Sequence, residues 1–152
     1  MQYTTKEERD TLTALMNEME SWLYSDDSGQ DNTEILTNKS KALHEFGSEV
    51  FKKYNQWDHL NHAIVALQHS VTNITQKYEE NNALVSKNGH LFLLASDMEE
   101  IKKSVNLYTE KMKEAMTQIS SASRLTSPPI LADTINTYNT DFNNVQLHFF
   151  IN

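Results

Sequence analysis

Residues 5–24 read TKEERDTLTALMNEMESWLY, and this stretch decides the fold. Its apolar positions Leu12, Leu15, Met16, Met19, Trp22 and Leu23 fall at i, i+3, i+4, i+7, i+10 and i+11, one stripe of a helix with 3.6 residues per turn. Charged and polar side chains take the other faces. Thr5 followed three residues later by Glu8 predicts a capping box, in which the hydroxyl accepts from the amide of the third helical residue and the carboxylate accepts from the amide of the cap. Tyr24-Ser-Asp-Asp-Ser-Gly supplies turn formers, so the helix should stop near Tyr24. Trp22, on the same stripe as Leu15 and Met19, is expected in the core.

The remaining chain reads as more of the same. A second helical pattern over 33–54 carries Leu36, Leu43, Phe46, Val50 and Tyr54, with Gly47 inside it at a cost of roughly 1 kcal/mol against Ala. Tyr54-Asn-Gln-Trp-Asp predicts a break with Asp58 as the next cap, although the third helix, over 58–79, could also run straight on from the second. That helix shows Leu60, Ile64, Leu67, Val71, Ile74 and Tyr78, a bundle-type spacing. Asn81-Asn82 and Asn88-Gly89 mark turns in a loop whose apolar pieces, Leu84-Val85 and residues 91–94, dock on the bundle. Ser96 and Glu99 predict a capping box for a fourth helix over 96–120, with Met98, Ile101, Val105, Tyr108, Met112, Ala115 or Met116, and Ile119. Ser127 and Pro128-Pro129 predict the start of a fifth over 128–149, carrying Leu131, Ile135, Tyr138, Phe142, Val145 and Phe149. The expectation is an all-α antiparallel bundle of four or five helices forming a single domain over residues 1–152.

Composition supports that class. Among 152 residues there are 3 Gly and 2 Pro, and no alternating β-branched runs occur. Cysteine is absent, which removes disulfides and thiolate metal sites. A net charge of −8 with 13 Lys plus Arg argues against nucleic acid as a partner, because phosphate neutralisation dominates that affinity. The longest apolar run, 91–95, is far short of the ~20 residues that span a bilayer, so no membrane partner is expected.

Few residues suggest chemistry. His59, His62 and His69 invite a metal site, since histidines three or four apart share a helix face, but the core stripe of their helix points them toward solvent and no third ligand is nominated. Asp26-Asp27, Glu79-Glu80 and Glu99-Glu100 read as solvated carboxylates at helix ends or in linkers. Met16, Met19, Met98, Met112 and Met116 sit on core stripes and read as core filler rather than as an adaptable binding surface. Asn38-Lys-Ser and Asn73-Ile-Thr are glycosylation sequons that permit a secretory location. The expectation is therefore no catalytic, cofactor-binding or metal residue. With the apolar residues assigned to helix stripes, the outer surface should be acidic and polar and carry no apolar patch.

Residues 7–27, EERDTLTALMNEMESWLYSDD, resemble the start of the C-terminal helical lid of the heat-shock protein 70 superfamily, where a helix ends in a Trp-Leu pair before an acidic turn. Lys41-Ala-Leu-His-Glu-Phe-Gly resembles the second lid helix, Lys53-Tyr-Asn-Gln-Trp the basic-aromatic hinge after it, and Pro128-Pro-Ile-Leu-Ala-Asp-Thr-Ile the proline-led last helix. The likeness is greatest to the large branch, the 110-kDa cytosolic proteins and the 170-kDa glucose-regulated, hypoxia-upregulated proteins of the endoplasmic reticulum. It implies a stress-response chaperone whose ATP-binding domain and β-sandwich lie outside these residues. Lids of this kind brace a sandwich that holds unfolded polypeptide clients, and in the large branch they embrace the nucleotide domain of a partner chaperone and promote exchange. The 170-kDa type implies the reticulum lumen, with the cytoplasm as the alternative. The competing class is a helical adaptor unrelated to chaperones, presenting a groove to a partner helix.

Overall fold

The structure, a computed structural model, describes residues 3–25, 33–88 and 95–150. Among the described residues the protein is an all-α helical bundle, with no strand and four helices: α1 (Lys6–Leu23), α2 (Thr33–Asn88), α3 (Ala95–Ser121) and α4 (Ala132–Phe150). They group into two compact units, residues 1–57 with 123–127 and residues 58–122 with 128–152, so that α2 contributes to both.

In the first unit α1 begins as expected. Thr5 Oγ1 accepts from the Glu8 amide at 3.0 Å and Glu8 Oε2 accepts from the Thr5 amide at 2.7 Å, closing the capping box. Its end is also where the turn formers put it, with Tyr24 as C-cap and the Ser25 hydroxyl donating to the Trp22 carbonyl. α1 runs antiparallel to the first part of α2, as three pairings show. Glu8 meets Lys53 at 3.5 Å, Glu18 meets Lys39, and the Tyr3 ring lies edge-on to Tyr54 at 5.4 Å.

The aromatic anchor of this unit is not the one the helical stripe nominated. No residue of α1 is buried, and Trp22 is only half-buried. Trp57 is instead fully enclosed, its indole N–H donating to the Thr126 carbonyl at 2.9 Å while the Arg124 guanidinium lies 3.8 Å from the ring centre. The break expected at 54–58 is correspondingly absent, since α2 continues through it. Asn55, Asp58 and neighbouring polar residues lower helix propensity only weakly, and a large buried side chain outweighs them. Asp58 serves within the helix, pairing with His62 one turn on at 3.4 Å.

The second unit holds the core. From α2, Leu60, Leu67 and Ile74 are fully buried and Ile64 and Val71 nearly so, the spacing that the sequence predicts. α3 buries Met98, Ile101, Tyr108 and Ala115, which resolves the Ala115 or Met116 alternative toward Ala115. α4 buries Ile135 and Phe142. Antiparallel pairing follows from Gln68 to Met116 and Asn81 to Met98 between α2 and α3, and between α3 and α4 from Tyr108 to Phe142, ring centres 5.1 Å apart, and Lys111 to Tyr138. Lys111 spans the Tyr108 and Tyr138 rings, 5.0 and 4.4 Å from their centres. Each fully buried aliphatic side chain here contributes roughly 1.5–3 kcal/mol.

Three boundaries differ from expectation. Residues 79–88, read as loop, extend α2, and Asn81 turns inward to donate to Met98 Sδ at 3.1 Å. Ser96 lies within α3 rather than capping it, its hydroxyl donating to Asp97. The last helix starts at Ala132, four residues after the expected position; Pro128 is buried in the connection, and the Thr134 amide donates to the Leu131 carbonyl at the start of the helix. The expected linker at 26–31, the turn at Gly89 and the apolar run 91–94 lie outside the described residues.

Candidate functional site: an apolar groove on the first hairpin

Two antiparallel helices cannot enclose their apolar stripes, since each stripe is wider than the single line of contact between them. The first unit carries the consequence. Met16 and Leu23 of α1 and Ile35, Leu36, Phe51 and Tyr54 of α2 are exposed, Phe51 by 63%. The expectation of an acidic and polar exterior with no apolar patch does not describe this hairpin, where these six apolar side chains are exposed.

Part of that surface is concave. A groove of about 390 Å³ opens where the start of α1 crosses α2. Tyr3, Thr4, Arg9 and Leu12 form one wall, and Phe46, Gly47, Val50, Phe51 and Tyr54 form the other. The sequence explains the second wall: positions 46, 47, 50, 51 and 54 are i, i+1, i+4, i+5 and i+8, a face broad enough to meet α1 on one side and remain open on the other. Gly47 makes the notch, for a Cβ placed there would have nothing within 4 Å. Phe51 stacks on Tyr54 with ring centres 6.4 Å apart, which fixes the far end.

The electrostatics of the groove are simple. Among the described residues Arg9 is the only charged one in its walls, and its Nη1 donates to the Thr4 carbonyl at 2.7 Å. Beside it, the Glu8 carboxyl is held below its ordinary range, chiefly by the bond from the Thr5 amide, which outweighs the opposing effect of burial, with the charge of Lys53 adding to the lowering. A second, more open depression lined by Leu36, Thr37, Ser40, Lys41 and His44 lies nearer the start of α2.

Neither place assembles groups for catalysis. His59, His62 and His69 are exposed on α2, and among the described residues no three of His, Cys, Asp or Glu come together as a metal site. Glu79, Glu80, Glu99 and Glu100 are exposed, while Asp26 and Asp27 lie outside the described residues. The methionines divide. Met98 is buried and Met19 and Met112 are half-buried, but Met16 and Met116 stand out at 55% and 43% exposure, so the core-filler reading fails for those two. Both sequon asparagines, Asn38 and Asn73, are exposed on α2. Among the described helices none is long and apolar enough to cross a membrane.

One apolar stripe per helix does not account for the groove. The signal was present in Phe51, which lies off the Phe46–Val50–Tyr54 line and widens it. Comparison with known protein families, with curated proteins and with solved structures gives no match for this chain.

Proposed function

We propose that this chain is the C-terminal helical lid region of a large heat-shock-70-like chaperone, assisting polypeptide folding and nucleotide exchange on a partner chaperone. The observation that carries the proposal is the first helix. Residues 7–23 of the family-like string lie in α1, which opens on a closed capping box at Thr5 and places Trp22-Leu23 immediately before its C-cap Tyr24. The second family-like string, from Lys41 to Gly47, follows on the helix antiparallel to it.

In this reading the region carries no catalytic residue and needs no cofactor of its own, while ATP belongs to a domain elsewhere in the parent protein. The partner is the nucleotide domain of a second chaperone of the same superfamily, met through acidic and polar surface, and unfolded clients are held by the parent's sandwich. The compartment is the reticulum lumen, or alternatively the cytoplasm. The encoding gene tests the reading most cheaply: an ATPase domain and a β-sandwich encoded upstream of Met1 are expected, and an unrelated upstream sequence would refute it.

One observation favours a second reading. The apolar groove on the first hairpin is what a helical adaptor unrelated to chaperones would present to a partner helix.

A further inference from the structure

We infer that the groove between the start of α1 and residues 46–54 of α2 docks a single amphipathic helix of a partner protein, one that carries a carboxylate to meet Arg9. The features of the site fix the chemistry of the occupant. The walls are aromatic and aliphatic apart from Thr4 and Arg9, so they offer almost no partner to a backbone amide or carbonyl. An extended peptide laid there would lose water from its backbone without replacement, whereas a helix satisfies its own backbone and presents only side chains. The site is also the open third side of a two-helix hairpin, whose ridges and grooves are the surface that a further helix packs against.

Charge selects among such helices. Arg9 uses Nη1 on Thr4, and among the described residues no carboxylate pairs with it. A guanidinium at the edge of an apolar, partly desolvated wall forms charge-assisted bonds to a carboxylate. A basic amphipathic helix would instead bring like charge to Arg9. The notch over Gly47 receives one large apolar side chain of the occupant, and the volume of about 390 Å³ lies within the range of well-formed ligand pockets. The inference rests on the adaptor reading of this groove and deepens it, and it does not depend on the chaperone reading, in which the partner is met through acidic and polar surface.

The test is fluorescence anisotropy of the intact chain with a labelled synthetic peptide, helix-forming, with Leu and Phe on one face and one Asp beside that face. Its Asp→Asn twin, dodecanoate as competitor, and sedimentation velocity of the chain alone complete the set. The Asp peptide is expected to bind at least roughly tenfold more tightly than its twin, as a charge-assisted bond implies. Gly47→Leu should fill the notch and abolish binding while the helical circular dichroism is retained, since the added side chain meets open space. Arg9→Gln, which keeps a donor for Thr4, should erase the difference between the two peptides. Equal binding of the twins, or full binding by Gly47→Leu, would overturn the inference. So would displacement of the peptide by dodecanoate at equal concentration, which would mark a lipid site, or a dimer that dissociates on Gly47→Leu substitution, which would make a second copy the occupant. Loss of nucleotide-domain binding would bear on the chaperone proposal and leave this result unchanged.

Discussion

Trp57→Ala should be the most damaging single substitution in the first unit. The indole is fully buried, donates to the Thr126 carbonyl and stacks under Arg124, so truncation removes a large packing volume and two specific contacts together. Emptying a buried aromatic site costs about 3–5 kcal/mol. The lost hydrogen bond contributes roughly 1 kcal/mol and the cation–π contact roughly 0.5–1 kcal/mol. These effects share one side chain and do not add in full, so the expected loss is about 4–5 kcal/mol. Trp22→Ala is the internal control, because its half-buried ring predicts a loss of only about 1–2 kcal/mol. Urea unfolding followed by far-ultraviolet circular dichroism reads both. With a slope of about 2 kcal/mol per molar urea, Trp57→Ala moves the midpoint down by about 2 M. Trp57→Phe dissects the loss, since it keeps most of the ring volume and deletes the N–H donor. Equal costs for the two alanine variants, or a larger cost at Trp22, would refute the assignment of Trp57 as the anchor.

Other substitutions probe separate links. Gly47→Ala should stabilise the protein by about 0.5–1 kcal/mol, because the position is interior to α2 and nothing crowds the new methyl; an unchanged or lowered melting midpoint counts against the geometry of the notch. Thr5→Ala should cost about 0.5–2 kcal/mol through loss of the cap, measured the same way. The Glu8 carboxyl, depressed by the Thr5 amide and Lys53, contributes stability that is present above the ordinary carboxylate range and lost as pH falls through its lowered value, so Glu8→Gln should flatten the acid side of the stability profile. Tyr108 behaves oppositely at high pH. Burial first and Asp141 second raise its phenol, the unfolded chain ionises sooner, and stability should fall above about pH 10, with Tyr108→Phe removing that loss.

How far the sequence carries can be seen residue by residue. Where a stripe is one residue wide per turn and faces a core enclosed on all sides, periodicity alone identifies the buried set, as at Leu60, Leu67, Ile74, Ile101, Ile135 and Phe142. Capping is equally local, and the Thr5–Glu8 box is legible because both partners lie within one turn. Trp57 illustrates what is not local. Its burial depends on Arg124 and Thr126, nearly seventy residues away, and nothing in the Tyr54–Asp58 string announces them. Asn81 is similar, for it looks like a turn residue until Met98 is brought beside it. The groove escaped notice for a different reason. Amphipathic patterns say which faces are apolar but not how many neighbours arrive to cover them, and the first hairpin leaves Met16, Leu23, Ile35, Leu36, Phe51 and Tyr54 exposed.

The chaperone proposal meets its most direct test in a titration of this chain against the isolated nucleotide domain of a heat-shock protein 70 chaperone, at low and at physiological salt, beside a reduced unfolded client. With a net charge of −8, binding should be weak and steered, and should fall as salt rises and screening shortens to ~8 Å. Detectable, salt-sensitive binding to the nucleotide domain is the predicted result. Tight, salt-insensitive binding to the unfolded client with none to the nucleotide domain would contradict it.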